Sequence, residues 1–230
     1  MLELISVTKT FGRIKAVEDV SFSIDKGEFV FVTGPSGAGK TTIIKMILRD
    51  LLPDSGQILV AGKDITDLPL KQVPFLRQKI GVVFQDFKVL PEKTLRENIE
   101  IALAICAVDR SEWKDRVDNV LEITNLTKRQ KLFPSQLSGG ELQRASLARA
   151  VVVNPRIILA DEPTGNLDWD TADSIIELFK RINAEGKTII MATHHNLIIK
   201  KYADRLIEIN KGRLVNDTKK KKADKKDDTD

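Results

Sequence analysis

The sequence contains one cysteine, Cys106, in 230 residues. No intramolecular disulfide can form, and the apolar stretch Ile101–Ala107 around it assigns Cys106 to core packing rather than to a reactive thiol. Aromatic residues make up only 5%, too few for a surface that stacks nucleic-acid bases. No apolar run approaches the ~20 residues that a membrane-spanning helix needs. The start, Met1-Leu2-Glu3-Leu4-Ile5, lacks the basic opening and long apolar core of a secretory signal. The chain is therefore expected to be soluble and cytosolic, with any membrane connection made through a partner.

Hydrophobic residues at 42% support a packed core. The length suits one large α/β domain or a core with an inserted subdomain. Net charge is +4 but unevenly spread. Residues 217–230, dominated by Lys219-Lys220-Lys221-Lys222 and interspersed aspartates, read as a disordered tail. Such a tail either touches anionic lipid or nucleic acid weakly or is simply solvated.

What the chain does have is Gly34-Pro35-Ser36-Gly37-Ala38-Gly39-Lys40-Thr41-Thr42, a match to the phosphate-loop pattern G-x-x-x-x-G-K-[ST]. A β-branched and aromatic run, Glu28–Val32, precedes it, and Ile43–Leu48 after it has helical composition. Glycines let the backbone wrap so that amide N–H groups face phosphate oxygens, and the helix start adds positive dipole. Lys40 can reach the β- and γ-phosphates, and the Thr41 hydroxyl can ligate Mg²⁺. These residues indicate a nucleoside triphosphate ligand.

Around the loop, Leu2–Val7 and, less regularly, Ala16–Ile24 alternate as half-buried strands do, and Gln57–Val60 follows the turn Pro53–Gly56. An antiparallel β layer beside a parallel core is expected. From Asp86 to about Pro134 the texture becomes charged amphipathic helix, with helical spacing in Thr94–Ala107 and Ser111–Ile123. Core texture returns at Arg156–Ala160 and Lys187–Thr193, with a helix expected over Thr171–Ile182 and a final hairpin at Arg205–Val215. Strands alternating with helices and ending in polar residues indicate a parallel sheet with its site at that edge.

Two further segments carry chemistry. Asp161-Glu162 ends a buried strand: Asp161 suits Mg²⁺ ligation, and Glu162 suits orienting and deprotonating an attacking water. In Leu137-Ser138-Gly139-Gly140-Glu141-Leu142-Gln143-Arg144, Ser138 and Glu141 have the spacing of a capping box. A capping box leaves unexplained two glycines at a helix start, which cost stability unless backbone must approach a ligand closely.

Taken with the phosphate loop, this segment resembles the signature motif of ATP-binding-cassette ATPases, and the likeness runs from Leu2 to about Leu214. The resemblance implies an α/β P-loop NTPase fold. A parallel sheet is joined by an N-terminal antiparallel β layer and an inserted helical subdomain at about 86–150, all within an ATPase domain spanning 1–216. It implies adenine stacking by Phe11, where tyrosine is more usual and a half-buried surface aromatic is the competing reading. It implies that Gln85 touches Mg²⁺ and the attacking water, that His194 contacts the γ-phosphate, and that the Gly165–Asp168 loop, chiefly Asp168, signals across a dimer. His195 replaces the usual aspartate and is expected to be solvated. Leu142 stands where glutamine is common. In the family two subunits meet head to tail, so that Ser138, Gly139 and Gly140 of one cover ATP held by the other.

Within the family, Lys63–Thr66, Val73–Gly81, Val83–Asp86 and Gly165–Asp168 resemble a branch of cell-division, lipoprotein-release and macrolide-export ATPases. Val73–Arg77 and Phe87–Pro91 favour the cell-division type. That implies an FtsX-like integral membrane protein as partner, attachment to the cytoplasmic face of the membrane through it, and indirect control of cell-wall hydrolases. An exporter or lipoprotein-release ATPase is the alternative. ATPases of the family that act on DNA or ribosomes usually carry a long coiled coil or second cassette, and neither is seen here.

Overall fold

A computed structural model describes residues 1–218, and the lysine-rich end from Lys219 lies outside the described residues. Two antiparallel strands, β1 (Leu2–Phe11) and β2 (Ile14–Ile24), lead to β3 (Phe29–Thr33). The chain then enters α1 (Lys40–Ile47) and returns through β4 (Ser55–Val60), β5 (Lys63–Asp64), α2 (Val73–Arg77) and β6 (Ile80–Phe84). Three helices follow: α3 (Leu95–Ile105), α4 (Arg110–Ile123) and α5 (Gly139–Val151). β7 (Ile157–Asp161), α6 (Trp169–Ala184), β8 (Thr188–Ala192), α7 (Asn196–Tyr202), β9 (Arg205–Asn210) and β10 (Arg213–Asp217) complete the order. Among the described residues no helix is long and apolar enough to cross a membrane.

The strands form two sheets, ordered β2-β1-β4-β5 and β10-β9-β3-β8-β7-β6. The first is antiparallel; in the second, β9, β3, β8, β7 and β6 run parallel and β10 antiparallel to β9. β3 shows why its sequence suits the middle of the stack. Val30 and Val32 face one buried cluster, shared with α1 and the first sheet, while Phe29 and Phe31 face a second, shared with α6. A strand buried on both faces reads as a continuous apolar run. Its parallel register fixes the site edge. Val32 pairs Ala192, Ala192 pairs Asp161, and Asp161 pairs Phe84, so the loops after β3, β8, β7 and β6 leave side by side.

A third cluster joins α3 and α4 to α5 through Leu95, Ile99, Leu121 and Ala148. Thr94 and Glu97 cap α3 reciprocally and Asp109 caps α4, which fixes where these helices begin.

Several expectations need correction. β6 was not foreseen because Gly81 interrupts its apolar run. A Cβ there would lie 2.6 Å from the Ala150 carbonyl oxygen, so glycine permits α5 to pack on the strand. β1 continues past Val7 because register shifts, with Ser6 at φ 48°, break the alternation that marks a strand. Cys106 is half-buried at the end of α3 rather than in the core. The expected tail boundary at 217 is also too early. Asp217 pairs with Ile207, and its carboxylate receives both Nε and Nη2 of Arg205, at 3.0 and 2.9 Å.

Arg205 is 5% exposed and also donates to Glu28 Oε2 at 2.6 Å and to the Ser23 carbonyl at 2.7 Å. Removing it takes the guanidinium away from Asp217, Glu28 and the Ser23 carbonyl at once. Arg205→Ala should lower unfolding free energy by about 3 kcal/mol, read by urea titration, since stripping one partner from a buried pair costs far more than the pair's net worth.

Candidate functional site

The loop leaving β3 is wedged between neighbours that admit only glycine at two points. Gly34 has φ 147° and a Cβ there would stand 1.9 Å from the Ile209 carbonyl oxygen; Gly39, at φ 111°, would meet the Ala16 oxygen at 2.4 Å. Gly212 of the β9–β10 turn braces the loop from outside. Its N–H donates to the Ala38 carbonyl at 3.0 Å, and its own carbonyl accepts from Glu18 N–H at 2.7 Å. Within this frame Lys40 is buried, its ammonium donating to the carbonyls of Gly34 (2.8 Å) and Pro35 (3.3 Å) and lying 3.5 Å from Glu162 Oε1.

The strand register brings the acidic pair to the same place. Thr41 Oγ1 donates to Asp161 Oδ1 at 3.1 Å. Burial pushes the Asp161 carboxyl up from the ordinary carboxylate range, against the opposing bond from Thr41. Glu162 has φ 49°, left-handed backbone uncommon for a non-glycine residue, with its N–H anchored on the Ala192 carbonyl at 2.9 Å. That bend directs its carboxylate between Lys40 and His194, whose Nδ1 lies 2.9 Å from Oε1 and whose backbone N–H donates to Oε2 at 3.3 Å. Gln85, one residue beyond β6, donates from Nε2 to Asn166 Oδ1 at 3.0 Å. A Cβ on Gly165 would stand 2.9 Å from that same Nε2, so glycine there lets the Gln85 amide pass.

Lys40, Thr41, Asp161, Glu162 and His194 are thus brought together, with Gln85 on the adjoining loop. Phe11 stands apart at the end of β1, 46% exposed, with Lys9 Nζ 5.7 Å from its ring centroid. Ser138 caps α5 and forms the capping box with Glu141. Gly139 and Gly140 lie against Leu167 and Thr171, and a Cβ on Gly140 would come within 2.5 Å of Thr171 Cγ2. Gly140 therefore has a packing reason inside its own chain besides any ligand. Asp168 caps α6, both carboxylate oxygens bonding Thr171, which holds the carboxyl below its usual range. His195 is not solvated as expected: it is half-buried and its ring packs against Trp169. Sequence reasoning missed Gly212, which acts on the site from another segment and matches no motif of its own, and named the Gly165–Asp168 loop without the bond from Gln85 to Asn166.

The site's hydroxyl, amide and carboxylate oxygens (Thr41, Gln85, Asp161) are the hard donors that Mg²⁺ takes. No group of three or more acidic, histidine or cysteine side chains that could hold a metal occurs among the described residues. A cation here would complete its shell with water and phosphate.

Residues 17–165 match the ABC transporter family. The chain belongs to that family. It is 47% identical to the cell division ATP-binding protein FtsE of Bacillus subtilis over 94% of its length and 96% of the relative's. Identity to the Escherichia coli K12 protein of the same name is 41%, covering 93% and 97%. A dimeric ATP-binding cassette solved in a post-hydrolysis state with ADP and Pi superposes with a TM-score of 0.86 at 34% identity, covering 97% of this chain and all of that one. Membership makes the chain an ATP-binding ATPase.

The raised Asp161 carboxyl carries a stability consequence. A carboxyl whose folded pKa is raised favours the fold only below its ordinary range, and that contribution is lost as pH rises through the folded value. Asp161→Asn should raise the melting temperature of the nucleotide-free protein at pH 7. The gain should vanish toward acid, which thermal melts across pH will show.

Proposed function

We propose that the chain is the ATP-hydrolysing subunit of an FtsEX-type complex in bacterial cell division. An FtsX-like integral membrane protein holds it at the cytoplasmic face of the membrane, and conformational change passes through that partner to peptidoglycan hydrolases. The relatives named as cell division ATP-binding proteins support the setting. The observation that carries the chemistry is Glu162, bent by its left-handed backbone between Lys40 and His194.

In this reading Gly34–Thr42 wrap the phosphates and Phe11 stacks on adenine. Lys40 exchanges its loop carbonyls for β- and γ-phosphate oxygens. Thr41, Asp161 and Gln85 would hold Mg²⁺, which when bound neutralises phosphate charge. Glu162 accepts a proton as water attacks the γ-phosphorus, the bond from that phosphorus to the bridging oxygen breaks, and ADP leaves with the bridging electrons. His194, fixed against Glu162, contacts the γ-phosphate.

A second copy supplies the rest. Ser138 and the Gly139–Gly140 amides reach the γ-phosphate of the partner's ATP, with Asp168 at the crossing. Closure of such a dimer is a two-state change, and moving it from 1:99 to 99:1 takes ~5.5 kcal/mol of differential binding. Charge-assisted contacts at two sites can supply that. Hydrolysis removes the bridging phosphate and the pair reopens.

Glu162→Gln should retain ATP binding while hydrolysis slows by roughly 10²–10⁴-fold, the worth of a positioned base; unchanged phosphate release would remove Glu162 from that role. Ser138→Arg should abolish turnover yet leave ATP affinity of the single subunit nearly intact. A large loss of affinity in that variant would refute a role across the dimer.

A further inference from the structure

His194 is held by little of its own. Its side chain is 64% exposed and its ring touches the site through Glu162. Apart from the contacts its Nδ1 and N–H make with Glu162, its placement is set by the backbone on either side. On one side Thr193 is fixed, 1% exposed, with its N–H donating to the Val32 carbonyl at 3.0 Å. On the other side stands His195, whose N–H donates to Thr193 Oγ1 at 3.1 Å. The His195 Nδ1 is buried without a hydrogen-bond partner among the described residues. What the imidazole does meet is the indole of Trp169, with centroids 5.7 Å apart and planes inclined by 34°, a favourable aromatic arrangement.

Trp169 opens α6 directly after Asp168, and His195 stands directly before α7. Their contact bridges the loops that leave β7 and β8, the two that carry Glu162 and His194. The Trp169 residue is 39% exposed at this helix start. We infer that Trp169 and His195 are positioning residues, a ring-on-ring strut that holds the 193–195 backbone so that His194 stays on Glu162. This rests on the proposed role of His194 in hydrolysis, and neither strut residue belongs to the phosphate loop.

A strut predicts loss of turnover without loss of binding, because no phosphate-loop contact involves it. Trp169→Ala and His195→Ala should each lower kcat about 10-fold, as small misplacements of catalytic groups do, with ATP affinity and melting temperature close to wild type. The double variant should be no slower than either single one, since the two residues act as a unit. Trp169→Phe and His195→Phe, which keep a ring contact, should restore most of the rate. Additive losses, or a His195→Phe variant as slow as His195→Ala, would overturn the inference.

Hydrogen exchange reads the strut without catalysis. Amides of residues 194–196 should exchange faster in both alanine variants than in wild type, and unchanged exchange would sink the idea. If wild type hydrolyses no ATP while exchange behaves as described, the proposed function fails and the strut stands.

Discussion

The parallel register of β3, β8, β7 and β6 is the constraint on which the rest depends. It is set by apolar side chains far from any chemistry: both faces of β3 are buried, and β7 and β8 are buried along nearly all their length. A slip of one residue would exchange Phe29 and Phe31 for Val30 and Val32 between the two clusters, which differ in shape, and so is strongly disfavoured. Because the register holds, Val32, Ala192, Asp161 and Phe84 end in one row. Asp161 stands in that row, and Glu162, Gln85, His194, Lys40 and Thr41 follow on the segments that leave it.

The row also creates an electrostatic problem that explains the chemistry of the ligand. One ammonium, Lys40, faces two carboxylates, Asp161 and Glu162, in a partly buried setting. Interactions there are worth more than in bulk water, and a triphosphate arriving alone would meet net negative charge. Lys40 is already engaged with two carbonyls and Glu162, so it cannot offset both acids and the phosphates together. In the proposed reading a divalent cation carried in with the nucleotide would remove the conflict, and the oxygen donors beside Asp161 suit one. The left-handed backbone at Glu162 fits the same view. Strain of this kind, of order 1–3 kcal/mol, persists where surroundings over-determine it, here through the Ala192 carbonyl.

Much of this was legible in the sequence, and the division has physical causes. The phosphate loop, the strand ends near Asp161 and Ala192, the helix start at Thr94 and the cap at Ser138 are local: residue type and spacing fix them within a few positions. β6 was hidden because the reason for Gly81 lies across the fold, in the carbonyl of Ala150. Gly212 was hidden likewise, since its contact with the loop joins residues far apart in sequence. His195 was misread as solvated because its ring partner, Trp169, is brought to it only by the adjacency of β7 and β8. Local rules found the reacting groups and missed what holds them.

The same logic gives a second meaning to the signature glycines. Read alone, Gly139 and Gly140 suggest backbone cleared for a ligand. In the fold, a Cβ on Gly140 would strike Thr171, and Thr171 is bonded twice by Asp168. The start of α5 is therefore packed on the start of α6, and Ser138 cannot shift far without disturbing the Asp168 cap. Asp168 in turn adjoins Trp169, and the same loop carries Asn166, the acceptor for Gln85. A dimer partner that pulls on Ser138 thus pulls, through Gly140 and Thr171, on the loop that touches the subunit's own site. Close packing is bistable rather than continuously deformable. In the proposed dimer, a contact made at one nucleotide would therefore have a short, stiff route to the other.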